Sequence, residues 1–281
     1  MRHGTGTATT LLVSLLCLAP AAPVQDAAGG EHGAPPAEAA LTGRDIYARV
    51  LENRFDSFIQ DSTLRSGDRG GREQVTKLRM HWQDFRNGQG DPAKGVLSKT
   101  LVRYSHPFEV RHAGYLIIDN SRRPNDQFVY FPSRRKVVRV NLRSEAVFGT
   151  DFSFEDILPR ELRDAEYRRF EDGEFRGIPT YTVEAIPTEL ADSEYSRFLI
   201  HVDQDRFVTL RARYWDEAGV EVKELRVNPA AIERIQEVWV PRELTMSNLR
   251  LESSTTLEVT KIRPNPELPP QTFTLRRLEA H

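Results

Sequence analysis

The sequence predicts an α+β protein that is mainly β: one large antiparallel sheet curled around an interior, with a single long helix in front. Three observations carry this. Val208, Leu210, Ala212 and Tyr214 alternate with Thr209, Arg211 and Arg213, the pattern of a sheet with one wet face. After Gly71 helical periodicity largely disappears, and strand-like runs joined by short turns follow one another. Before it, Ile46, Val50, Leu51, Phe55, Phe58 and Ile59 recur at helical spacing, with Thr42 and Asp45 placed as cap and reciprocal partner.

Taken in order, the helix is expected over residues 42–59 and a polar, glycine-containing loop over 61–71. Strands are expected at 74–86, 97–105, 115–119, 128–131 and 136–140. A second series follows at 166–170, 180–186, 197–202, 207–215, 221–227, 234–240, 243–248 and 254–262. Residues 216–219 (DEAG) supply a hairpin loop. Between the two series, residues 147–159 (VFGTDFSFEDILP) break the strand pattern. Gly149 permits a turn, Ser153 can cap with Asp156, and Phe148, Phe152, Phe154, Ile157 and Leu158 give an apolar side. A short amphipathic helix fits best.

The chain has 281 residues, 39% apolar and 28% charged. With a mean hydropathy of -0.52, this composition argues for a folded, water-soluble domain and against a membrane bundle or a disordered tail. Lys plus Arg number 39 against 41 Asp plus Glu, and a net charge of -2 gives no global attraction to nucleic acid or to an anionic lipid surface. Any polyanionic partner needs a local patch.

Residues 1–21 carry Arg2 as their only fully charged side chain, then an apolar run at 11–19 and the small-residue sequence Ala19-Pro20-Ala21. This is the layout of a cleavable signal peptide, and the run is shorter than the about 20 apolar residues that span a bilayer. Export to the periplasm follows. Cys17, the only cysteine, is a poorer candidate for lipoprotein anchoring because the bulky Leu16 precedes it. Residues 22–41, mostly Ala, Pro and Gly, form a flexible leader, and 42–281 a single folded domain. That domain has no disulfide and no thiolate metal site.

The chemistry-bearing residues are sparse. His81, His106, His112 and His201 show no metal-site spacing, and no serine lies in a G-x-S-x-G elbow. No cofactor, metal or catalytic residue is expected. A triad assembled in space, hence a lipid-ester hydrolase, stays open as an alternative. Asp151, Glu155 and Asp156 could form an acidic site, but an acidic first turn is also what a helix dipole favours. The densest basic run, Arg134, Arg135, Lys136, Arg139 and Arg143, suits either a headgroup or a solvated outer face.

At residues 129–140 (VYFPSRRKVVRV) and 148–157 (FGTDFSFEDI) the sequence resembles the outer-membrane lipoprotein-sorting proteins, relatives of the periplasmic carrier LolA. YTVEAIP, YSRFLIHVD, RYWDEAGVEVKEL, EVWVPRELTMSN, TTLEVTKI and LPPQTFTLRRLE then follow in that family's order, so the likeness runs from about residue 128 to 278. Phe128 and Phe154 stand where the family shows Trp and Tyr. The resemblance implies an incomplete antiparallel β-barrel with helices covering its open side and an apolar cavity between them. It also implies a non-enzymatic periplasmic carrier for acyl chains of a lipid or lipoprotein, served by an inner-membrane lipid exporter and an outer-membrane acceptor. A non-catalytic protein-binding module of the envelope is a further alternative. Phe148, Phe152, Phe154, Trp215, Trp239 and Met246 are the expected cavity and lid residues. Burying a methylene is worth about 0.8 kcal/mol, so a sixteen-carbon chain offers on the order of 10 kcal/mol before ordering costs. The short helix is expected to be held mainly by apolar contact, so that Phe152→Ala would weaken lipid uptake.

Overall fold

The chain starts its folded part with helix α1 (Gly43–Glu52), closed at its amino end by the expected capping box. Thr42 N donates to Asp45 Oδ2 at 2.9 Å, and Asp45 N donates to Thr42 Oγ1 at 3.1 Å. The computed structural model describes residues 40–87, 91–141, 146, 147, 149–157, 160–191 and 193–280. The signal peptide, Cys17, nearly all of the leader, Arg143, Phe148 and Leu158 lie outside the described residues.

Helix α1 is shorter than the apolar spacing suggests. It ends where the Asn53 side chain is engaged by residue 239, donating to its carbonyl at 2.9 Å and accepting from its N–H at 2.8 Å. Phe58 and Ile59 belong instead to strand β1 (Ser57–Gly67), which also takes up most of the expected loop. Long-range pairing overrides local periodicity here.

The strands follow as β2 (Glu73–Asp84), β3 (Val96–His106), β4 (Gly114–Asn120), β5 (Asp126–Phe131) and β6 (Lys136–Val140). After the short helix α2 (Phe154–Ile157) come β7 (Ala165–Arg169), β8 (Gly173–Phe175), β9 (Ile178–Pro187), β10 (Arg197–Asp203), β11 (Thr209–Trp215) and β12 (Glu221–Val227). The expected strand over 234–240 is a hairpin, β13 (Ile232–Ile235) and β14 (Val238–Pro241), turned at Gln236 with φ +54°. Strands β15 (Glu243–Asn248) and β16 (Ser253–Pro264) follow, and helix α3 (Leu275–Glu279) ends the fold.

All strands except β13 and β14 form one antiparallel sheet, in the order β6-β5-β4-β3-β2-β1-β16-β15-β12-β11-β10-β9-β7, with β8 beside β9. The two halves of the chain meet where β1 pairs β16, and the free edges are β6 and β7. The connection from β6 to β7 therefore runs from one edge of the sheet to the other, carrying α2 with it. The sheet is not closed into a barrel.

One face of the sheet holds the main core. Tyr104, Tyr115, Ile117, Val129, Phe198, Ile200, Ala212, Tyr214 and Met246 point into it from six strands, and Ile46 and Tyr47 of α1 cover it. The opposite face is wet along β11, where Arg211 pairs with Glu224 at 2.5 Å and Arg213 with Glu221. A smaller apolar cluster, in which Leu278 of α3 and Phe273 meet Leu101 and Leu116, covers part of β3 and β4. Residues 41–281 form one compact unit, and Leu41, the last residue of the expected leader, packs against the core.

Gly43 fixes how closely α1 approaches. A Cβ there would stand 2.8 Å from Arg169 N and 2.9 Å from Arg168 C, both backbone atoms of β7. Gly43→Ala should lower stability by about 1–3 kcal/mol despite alanine's better helix propensity, read as a lowered urea midpoint. An unchanged midpoint would mean that α1 does not rest on β7 in solution.

Candidate functional site

The segment between β6 and β7 lies over the inner face as a strap. Val147 N donates to Phe152 O at 2.8 Å and Thr150 N to Val147 O at 3.1 Å, closing a turn in which Gly149 takes φ +76°. The expected capping pair opens α2: Ser153 N donates to Asp156 Oδ2 at 2.8 Å, and Asp156 N to Ser153 Oγ at 3.4 Å. Phe152 and Phe154 are each 4% exposed and both point into the core. The Phe154 ring meets Tyr115 edge-on, 5.0 Å between centroids. Next to them Tyr195, Phe198 and Tyr214 contact one another at 5.0–5.5 Å, and Tyr47 of α1 stacks on Tyr167 at 4.6 Å.

Polar anchors, not apolar contact alone, hold the strap. The Asp156 carboxylate, its side chain fully buried, accepts from Lys223 Nζ at 2.8 Å and from Tyr195 OH at 2.9 Å. Burial, with Asp156 and Glu194 beside it, pushes the Tyr195 hydroxyl well above its ordinary range, so it stays a donor. Glu155 accepts from Ser193 Oγ, from Glu194 N at 2.9 Å and from Arg160 Nη1 at 3.1 Å. Arg160 in turn lies over the Phe198 ring at 3.9 Å. Asp151 accepts from Ser253 Oγ and from Thr255 Oγ1 at 2.6 Å. Each acid of the expected cluster is thus turned to a different strand or loop. Among the described residues no group of three or more His, Cys, Asp or Glu could hold a metal ion.

Phe152, Phe154 and Met246 therefore come together on the inner face, whereas Phe148 lies outside the described residues. Trp215 shares the arginine-bearing face of β11, its ring under the guanidinium groups of Arg197 at 4.0 Å and Arg213 at 4.9 Å. Trp239 belongs to a separate cluster with Val208, Leu210 and Val227. The aromatic residues that sequence reasoning missed are Tyr47, Tyr115, Tyr167, Tyr195, Phe198 and Tyr214. Of these only Tyr214 carried a signal, its place on the apolar side of β11.

An apolar cavity of about 160 Å³ lies between α1 and the inner face, lined by Tyr47, Tyr167, Phe198, Ile200, Ala212 and Tyr214 among others. This is below the about 300–1,000 Å³ of ordinary ligand sites. Occupancy by a chain molecule thus requires the strap or α1 to give way. A larger cleft of about 530 Å³ is polar, bounded by residues 119–125, Arg163, Asp164 and Glu189. At its edge burial, with Glu161 and Asp164 nearby, pushes the Asp119 carboxyl up to about 7. A raised carboxyl pKa means that the folded state holds its proton longer than the unfolded state, so stability should fall as pH rises from about 4 to about 7, by roughly 3–4 kcal/mol. Urea titrations of Asp119→Asn across that range should lack this loss.

The hydrolase alternative finds no orienting carboxylate at Nδ1 of two of the four histidines: His81 Nδ1 and His201 Nδ1 are buried without a hydrogen-bond partner. Ser105 Oγ donates to the Lys77 carbonyl at 3.3 Å.

The model of a family described as "Uncharacterized protein" matches residues 97–280, more than half of the chain. The chain belongs to that family. No curated protein matches it. Among solved structures it is similar to a putative outer membrane lipoprotein-sorting protein domain from Vibrio parahaemolyticus, with TM-score 0.76 and 20% identity over 85% of this chain and 98% of the other. A DUF1329 family protein from Desulfovibrio piger gives TM-score 0.77 and 21% identity over 84% and 97%. A LolA superfamily protein from Nitrosomonas europaea gives 0.66 and 19% over 85% and 100%. The family member described here therefore has the LolA-like fold, an incomplete antiparallel barrel, as its motif order implied.

Proposed function

We propose that the protein is a non-enzymatic carrier that shields the acyl chains of a lipid or lipoprotein against the inner face of the sheet. The observation that carries this reading is the strap: an aromatic segment joining opposite edges of an open barrel, its rings lying where acyl carbons would go. Apolar burial alone binds such a cargo, at about 0.8 kcal/mol per methylene, and displacement of Phe152 and Phe154 frees the apolar face that receives it. The signal-like amino terminus supports a periplasmic carrier, working between an inner-membrane lipid exporter and an outer-membrane acceptor.

Native mass spectrometry of protein purified from its host should show copurified lipid, and a fluorescent fatty acid should bind with its probe in an apolar environment. A protein that is empty and takes up no fatty acid overturns the proposal. The small cavity favours a second reading, an envelope module that docks a partner and carries nothing. The same two measurements separate the readings.

A further inference from the structure

The outer face of the sheet carries a cluster of cations that no stretch of sequence displays. Strand register sets Arg103 of β3 opposite Arg79 of β2, Arg79 opposite Asp61 of β1, and Asp61 opposite Lys261 of β16. In the next row His81 and Arg263 flank Ile59. Two grooves of about 350 and 340 Å³ share Ile59, His81 and Arg263, and Arg277 of α3 borders one of them. Asp61 is taken by Arg79, which donates to it through Nε at 2.6 Å and Nη2 at 2.9 Å. Among the described residues Arg103, Lys261, Arg263 and Arg277 form no ion pair, and Glu267 at the rim is the remaining acid. The local field is visible at His81, which burial and the neighbouring Arg79, Arg277, Arg103 and Arg263 hold down at about 4.

The strand that carries Arg103 ends next to an exposed apolar side chain. Phe108, 83% exposed, opens the turn after β3 and lies five residues beyond Arg103, roughly 17 Å at most along an extended chain. A ring that stays in water at the end of the strand that carries Arg103 has the make-up of an interfacial anchor. With a net charge of only -2 for the whole chain, such a patch can act locally without general attraction to polyanions.

We propose that this face docks on the surface of an anionic phospholipid membrane, with the exposed Lys261, Arg263 and Arg277 against the phosphates and Phe108 dipping into the headgroup region. This goes beyond the carrier reading, which concerns the opposite face of the sheet. Docking by the outer face would leave the strap free to open.

The test is flotation of the signal-free protein with vesicles of mixed phosphatidylglycerol and phosphatidylcholine, against vesicles of phosphatidylcholine alone and against inorganic phosphate. Binding should require phosphatidylglycerol and be lost when salt is raised to about 0.5 M. Each exposed cation of this face removed should weaken it about fivefold, so Arg263→Gln with Arg277→Gln should lose roughly 25-fold, and Phe108→Ser should lose roughly tenfold. Arg134→Gln with Arg135→Gln, in the β5–β6 turn, should change nothing. Equal binding to both vesicle types, indifference to Arg263 and Arg277, or retention of phosphate without vesicle binding overturns the proposal. Fatty-acid uptake measured on the same variants keeps the two readings apart: its absence with vesicle binding intact removes only the carrier.

Discussion

Phe152→Ala should lower the free energy of unfolding by about 3–5 kcal/mol and, per folded molecule, tighten the apparent binding of a fluorescent fatty acid by roughly tenfold or more. The first effect follows from burial: the ring is 4% exposed within the main core. The second has the opposite sign to the sequence expectation, and the reason is where the ring sits. A lid at the mouth of an open cavity would grip the cargo, so trimming it would weaken binding. Here the ring is packed in the interior itself, as part of the main core, and a cargo taking that space must displace it. Trimming it weakens the closed state while leaving the open state nearly untouched, so a larger fraction of molecules is competent to bind. Chemical denaturation and a fatty-acid titration on one preparation check both halves. Lost stability with unchanged affinity makes Phe152 ordinary core. Weakened affinity restores the sequence expectation, with the ring as part of the wall that grips the chain.

The alternating strands were legible because each depends on its own sequence. Residues 208–214 show their two faces without reference to any partner, and β6, β12 and β15 lie where expected. Strand β1 was not legible, because Phe55, Phe58 and Ile59 mimic a helical stripe and the pairing that settles the matter joins Ile59 to Arg263, far along the chain. The strap shows the same division. Its cap, its turn at Gly149 and its inward rings are local and readable. Its anchors are not, since Lys223, Tyr195, Glu194 and Thr255 reach it from residues that give no sign of facing a carboxylate. The basic residues teach it again. The visible run at 134–139 is a hairpin in which Arg139 is tied to Asp126 at 2.6 Å, whereas the unpaired cations of the outer face are scattered over β3, β16 and α3. A period-two pattern reveals which residues share a face of one strand, but not which strands stand side by side.

Lys223→Met should cost about 3–5 kcal/mol, because it removes one partner of a buried ion pair and leaves the other charged. Asp156 would keep only the Tyr195 hydroxyl at 2.9 Å and the Ser153 amide at 2.8 Å at a fully buried carboxylate. Asp156→Asn combined with Lys223→Met should recover much of the loss, since an amide needs no counter-charge, and the cycle should give a coupling of about 2 kcal/mol or more. The pair joins the strap to β12, so the damage should be local before it is global. Hydrogen exchange in Lys223→Met should rise at the amides of residues 149–157 well before it rises at those of β10 and β11. Fatty-acid affinity should rise with it, for the reason that applies to Phe152, although Lys223 does not belong to the apolar wall. A uniform loss of protection across the sheet, with affinity unchanged, would show that Asp156 and Lys223 brace the core as a whole and that the strap is no gate.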